Sequence, residues 1–153
     1  MQTTTDLKIE LHNKCIKYVN DRIDTAKEAL ADLRQSASEE TKSSAGDKYE
    51  TGRAMMQQET DRSQTQLNEA NKLMIALNQI NSETISDTAI PGSVVVTNNG
   101  KFYISISAGT LMVKEEVFFA VSPASPIGLS LKGQKAGNEF NLNGKIYRVE
   151  KIY

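Results

Sequence analysis

Residues 88–100 read Thr88-Ala89-Ile90-Pro91-Gly92-Ser93-Val94-Val95-Val96-Thr97-Asn98-Asn99-Gly100. The first proline of the chain falls here, and the chemistry changes across it. Residues 1–90 contain no proline and only two glycines, Gly46 and Gly52, whereas residues 91–153 hold all three prolines and the other seven glycines. Proline and glycine break helices and build turns. The chain therefore predicts long helix, interrupted once, before residue 90, and short strands with turns after it. The expected fold class is α+β: an N-terminal antiparallel coiled-coil helical hairpin over residues 1–82, a linker over 83–91 and a β-rich domain over 92–153. Such a helical projection on a β-rich body suits reaching into a partner better than enclosing a substrate.

Upstream of the junction, Ile9, His12, Ile16, Val19, Ile23, Ala26, Leu30 and Leu33 recur at alternating spacings of three and four, the heptad pattern of a helix with one apolar seam. A second series runs Tyr49, Met56, Ser63, Ala70 and Leu77, accompanied by Leu67, Met74 and Ile80. It is weaker, with Arg53, Thr60 and Ser63 where apolar residues are expected. The polar link Ser36–Ser44 between the two series is too short for a parallel pair, so the arms run antiparallel. Each arm is roughly 50 Å long at 1.5 Å per residue.

The tip reads Ser43-Ser44-Ala45-Gly46-Asp47-Lys48-Tyr49-Glu50. Asp47 and Glu50 are three apart, which on a helix sets both carboxylates on one side. Two carboxylates suit a hard cation such as Mg²⁺, although the remaining ligands would have to come from elsewhere. The same spacing is a capping-box pattern, as is Ser44 followed by Asp47, and spacing alone leaves both readings open.

Downstream, strands are expected at Ser93–Thr97, Lys101–Ser107, Val117–Ser122, Glu139–Leu142 and Lys145–Ile152. Asn99-Gly100 and Asn143-Gly144 mark tight hairpins. Phe102, Ile104 and Ile106 alternate with Tyr103, Ser105 and Ser107, which predicts one buried face. Ser125 before Pro126, then Ile127 to Leu131 and a closing Gly133, reads as a short capped helix.

The run Ser125-Pro126-Ile127-Gly128-Leu129-Ser130-Leu131-Lys132-Gly133-Gln134-Lys135-Ala136-Gly137-Asn138-Glu139, followed by Lys145–Ile152, resembles the C-terminal domain of Gre-type transcript cleavage factors. That family carries an S-P-(aliphatic)-x-x-x-L-x-G-x-x-x-G-(D/N)-E signature, and Gly92–Val96 is similar to its domain opening. Gly46-Asp47-Lys48-Tyr49-Glu50 matches the family's G-D-x-x-E at the start of the second arm. The resemblance covers nearly the whole chain, in the same order and at a similar length. It implies an FKBP-like fold for residues 92–153 and docking on bacterial RNA polymerase through Ser125, Pro126, Ile127, Leu131 and Gly133. It also implies a hairpin tip in the polymerase secondary channel. There Asp47 would be a metal ligand and Glu50 would assist it or orient the attacking water. The Mg²⁺ would be shared with the polymerase, and the polymerase itself, not this chain, would cleave the RNA 3′ end. Where family members continue N-A-(E/D)-Y, this chain has Thr51-Gly52-Arg53-Ala54. That departure leaves room for a relative that occupies the channel without promoting cleavage. The FKBP-like fold alone would also prompt a peptidyl-prolyl isomerase or chaperone.

Charge and composition narrow the alternatives. Residues 1–90 carry 11 Lys/Arg against 15 Asp/Glu, and residues 91–153 carry 7 against 4. Neither balance is extreme enough to hold bare nucleic acid by counterion release, so the expected partner is a protein. No apolar run is long enough to cross a membrane, the first residues lack a signal-peptide pattern, and the single Cys15 makes no internal disulfide; a cytoplasmic monomer is expected. His12 and Cys15 lie on or beside the first seam and read as packing residues, as do Met55 and Met56. Lys42, Lys48 and Arg53 could meet RNA phosphate, but on a helix they read first as solvated charges. There is no P-loop, dinucleotide fingerprint, HExxH or paired CxxC.

Overall fold

A computed structural model describes the backbone of residues 3–41 and 46–153 and the side chains of residues 3–39 and 51–153. The fold is α+β: two long helices, α1 (Thr4–Thr41) and α2 (Gly46–Asn78), precede six strands and one short helix. α1 starts in a reciprocal cap, the Asp6 amide donating to Thr3 Oγ1 at 3.1 Å and the Thr3 amide reaching the Asp6 carboxylate at 3.4 Å. It then runs through Ser36–Thr41, which polar composition marks as part of the link. No glycine or proline breaks that stretch, and polar side chains such as Gln35 and Glu39, in contact at 3.4 Å, are content on a solvated helix.

The chain forms two compact units, one of residues 1–18 with 75–153 and one of residues 19–74. In the second, the distal parts of α1 and α2 bury Val19, Ala26 and Leu30 from one helix and Ser63 and Ala70 from the other. These are heptad-spaced positions, and three of the five are Ala or Ser, so the seam is narrow and small residues fill it.

The first unit holds a mixed six-stranded sheet of β1 (Val94–Thr97), β2 (Gly100–Ile104), β3 (Gly109–Val113), β4 (Glu116–Val121), β5 (Glu139–Leu142) and β6 (Lys145–Ile152), in the order β3-β4-β2-β1-β6-β5. β2 and β4 are parallel and the other neighbours antiparallel. One face carries Val95, Phe102, Ile104, Val121 and Val149, packed with Ala89 and with Leu131 of α3 (Pro126–Leu131). The segment read as a linker, residues 83–91, thus enters the core at Ala89, whose amide donates to the Gln134 carbonyl and whose carbonyl accepts from Gly133.

Two features of the sheet differ from the sequence reading. β2 and the residue after it are buried on both faces: Tyr103 and Ser105 are as enclosed as Phe102 and Ile104, because the first turns of α1 lie against the face that alternation marks as exposed. β3 has no counterpart among the expected strands. Its turn into β4 is made by Lys114 and Glu115, at φ 50° and 68°, where Asn-Gly or Asp-Gly would have announced a hairpin.

Candidate functional site

The acidic pair falls at the start of α2. The backbone is helical from Gly46 onward, so Asp47 and Glu50 stand three apart on it. Their side chains, with those of Lys42, Lys48 and Tyr49, lie outside the described residues. Oxygen donors three apart fit two positions of a Mg²⁺ shell and leave the rest to another source. Thr51, Gly52, Arg53 and Ala54 continue the same helix.

The Ser125–Gly133 segment is described in full. Ser125 caps α3, its Oγ accepting from the Gly128 amide at 3.1 Å and donating to the Ser122 carbonyl at 2.6 Å. Pro126 follows in the first turn, where a missing N–H costs nothing. Gly133 stands at φ 81° just beyond the helix. Leu131 is wholly buried and Ile127 packs against the same core. Leu131 therefore sets the shape of this segment from beneath, and Pro126 is exposed above it. Sequence reasoning missed Gly128, whose place would admit no side chain: a Cβ there would stand 1.9 Å from the Ser122 carbonyl oxygen.

Two further clusters join residues distant in sequence. Between α1 and β2, His12 Nδ1 meets the Tyr103 hydroxyl at 3.2 Å and Cys15 Sγ meets Ser105 Oγ at 3.4 Å. Burial lowers the His12 pKa. It raises that of Cys15, which the Ser105 hydrogen bond opposes. Close by in the same helix, Lys8 is 1% exposed and donates from Nζ to the carbonyls of Thr84 and Tyr153. A cleft of about 320 Å³ beside α1 is lined by Lys101, Glu116, Glu150 and Lys151. Its charges balance, and Lys101 and Glu116 already pair at 3.0 Å.

On the opposite face of the sheet, aromatic rings form contacts across four strands. Phe119 lies 5.7 Å from Phe102, Phe102 lies 6.2 Å from Tyr147, and Tyr147 stacks on Phe140 at 5.0 Å. No sequence signal points to this row, since its members come from β4, β2, β6 and β5.

Comparison with protein-family models, with curated proteins and with solved structures finds no match to this chain. Among the described residues, no helix is long and apolar enough to cross a membrane.

Proposed function

We propose that this chain is a Gre-type factor that binds bacterial RNA polymerase, enters the secondary channel with the connection between α1 and α2, and stimulates cleavage of backtracked RNA by the polymerase. The observation that carries the reading is the helical backbone at residues 46–50, on which Asp47 and Glu50 stand three apart. The order of a long helical pair followed by a sheet domain supports it, as does the capped Ser125–Gly133 turn.

In this reading Asp47 and Glu50 would offer carboxylate oxygens to a Mg²⁺ shared with the polymerase; when bound, the ion acidifies its water and stabilises developing negative charge. The chain's own contribution is two carboxylates held one turn apart on helix. The FKBP-like sheet domain would dock on the polymerase, with Ser125, Pro126 and Gly133 shaping the contact, Ile127 beside them and Leu131 fixing the turn from below. The chain would act in the cytoplasm as a monomer, would meet the RNA 3′ end only through the polymerase, and would not itself be the enzyme.

The test is an RNA-cleavage assay on stalled, backtracked elongation complexes. Shortened RNA in the presence of protein and Mg²⁺ supports the reading, and no binding to purified polymerase overturns it. Binding without cleavage at any Mg²⁺ concentration assigns the chain to the second reading, a channel regulator, which the departure at Thr51-Gly52-Arg53-Ala54 favours. A proline-isomerisation assay separates both from a peptidyl-prolyl isomerase or chaperone.

A further inference from the structure

Among the described residues, β3 is an outer strand of the sheet and pairs only with β4. Its free edge presents alternate N–H and C=O groups with no strand of the sheet against them. Such edges are usually blunted by a charge, a proline or a bulge. Gly109-Thr110-Leu111-Met112-Val113 carries none of these and keeps unbroken register with β4 from Gly109↔Ala120 to Val113↔Glu116. The other outer strand, β5, begins with Glu139, which is engaged by Arg148 at 2.9 Å.

The sheet face beside this bare edge is apolar. Met112 is 58% exposed, Val117 40% and Phe119 39%. Met112 stands opposite Val117, and Thr110 stands opposite Phe119, whose ring leans on Phe102. A strand added to β3 would set every second side chain on this same face, next to Met112.

The geometry points to β3 as the acceptor for an extended segment of a partner protein, which adds as a further strand and lays alternate β-branched or aromatic side chains beside Met112. The occupant is a peptide strand and not a second copy of this chain, on grounds of area. One short edge and three partly exposed side chains offer far less than the roughly 1,200 Å² that a stable interface buries in total. Main-chain hydrogen bonding to a short segment needs no such area and takes its specificity from alternate side chains. With no charge on residues 109–113, selection rests on apolar alternation, and added salt leaves the affinity unchanged. The inference holds whether or not the chain works on polymerase.

The experiment uses the full chain, isotopically labelled, and a seven-residue probe peptide alternating valine and threonine between terminal lysines. The expected result is saturable binding with slowed amide exchange confined to β3. Met112→Lys, at an exposed position, should weaken binding by at least about tenfold while the amide spectra of β1 and β6 stay unchanged. A probe with alternate backbone nitrogens methylated should not bind. The inference is overturned by undiminished binding of the methylated probe, by protection at β5 instead, or by no saturable binding up to the solubility of the peptide. It is equally overturned by self-association of the chain alone that Met112→Lys abolishes, since a second copy would then be the occupant.

Discussion

His12 Nδ1 lies 3.2 Å from the hydroxyl of Tyr103, a residue 91 positions further along the chain. Burial, reinforced by nearby Cys15, pushes the Tyr103 hydroxyl well above the usual tyrosine range. The hydroxyl therefore keeps its proton, and its hydrogen bond with the neutral His12 ring takes its direction from the imidazole tautomer. The contact fastens α1 to β2.

A pH dependence follows from the lowered His12 value. The unfolded chain, with histidine at about 6.5, binds the proton more readily than the folded one. The contribution of the neutral pair is complete above that pH and is lost as pH falls through the lower folded-state value. We expect the urea midpoint of the wild type to fall more steeply between about pH 7 and pH 5 than that of His12→Gln, which keeps an acceptor but does not titrate. Equal slopes in the two proteins would show that His12 plays no part.

Two glycines separate steric crowding from backbone strain. Gly128→Ala would drive a methyl to 1.9 Å from the Ser122 carbonyl oxygen, backbone that cannot swing aside. At Gly133 a methyl would meet nothing within 4 Å, but the residue sits at φ 81°. Alanine at 133 should cost about 1–2 kcal/mol for the left-handed backbone, and alanine at 128 should cost more, about 3 kcal/mol or above, because α3 must shift. Chemical denaturation of both variants measures the order, and a milder loss at 128 would contradict the close approach.

Lys8 provides a third test. Its ammonium is buried against the carbonyls of Thr84 and Tyr153. Burial lowers its pKa, so the folded state gives up the proton more readily than the unfolded one and this residue's contribution grows as pH rises toward the ordinary lysine range. Lys8→Met keeps the bulk of the stem and removes both the buried charge and its hydrogen bonds. It should change stability by no more than about 1–2 kcal/mol at neutral pH. Lys8→Ala leaves a void as well and should cost about 2–4 kcal/mol. Denaturation midpoints that place the two variants together would mean that packing around the stem contributes little.

Much of the fold was legible because it rests on local rules. The helices show in the absence of proline and the scarcity of glycine before residue 90, and in heptads whose members Val19, Ala26, Ser63 and Ala70 are buried. β5 and β6 show in Asn143-Gly144, at φ 54° and 80°. What stayed hidden depends on contacts made far along the chain. β3 is followed by a turn of Lys114 and Glu115, residues with no special liking for positive φ, so tertiary pairing with β4 overrides local preference. The buried second face of β2 requires α1, some ninety residues earlier, to supply His12 and Cys15 as partners for Tyr103 and Ser105. Lys8 buried on a helix contradicts charge patterning, and only the carbonyls of Thr84 and Tyr153 explain it. Of the candidate site, the capped turn at Ser125 was readable from Ser-Pro and Gly133, while the acidic pair acquired a role only through resemblance.

The acidic pair carries the last prediction. If Asp47 and Glu50 hold the shared Mg²⁺, changing both to alanine should abolish stimulated cleavage while polymerase binding stays nearly intact, because docking would reside in the sheet domain. If they serve only to cap α2, each loss should cost about 0.5–2 kcal/mol of helix stability and should show in thermal unfolding or in binding, with any cleavage falling in proportion. Mg²⁺ titration separates the two: weakened metal retention in the single variants is partly rescued at high Mg²⁺, whereas a missing cap is indifferent to it. Glu50→Gln sharpens the contrast, since glutamine keeps the helix-forming stem of glutamate but is a poorer ligand for a hard cation than a carboxylate. Full cleavage by Glu50→Gln would remove the metal role from Glu50 and leave it an ordinary residue of α2.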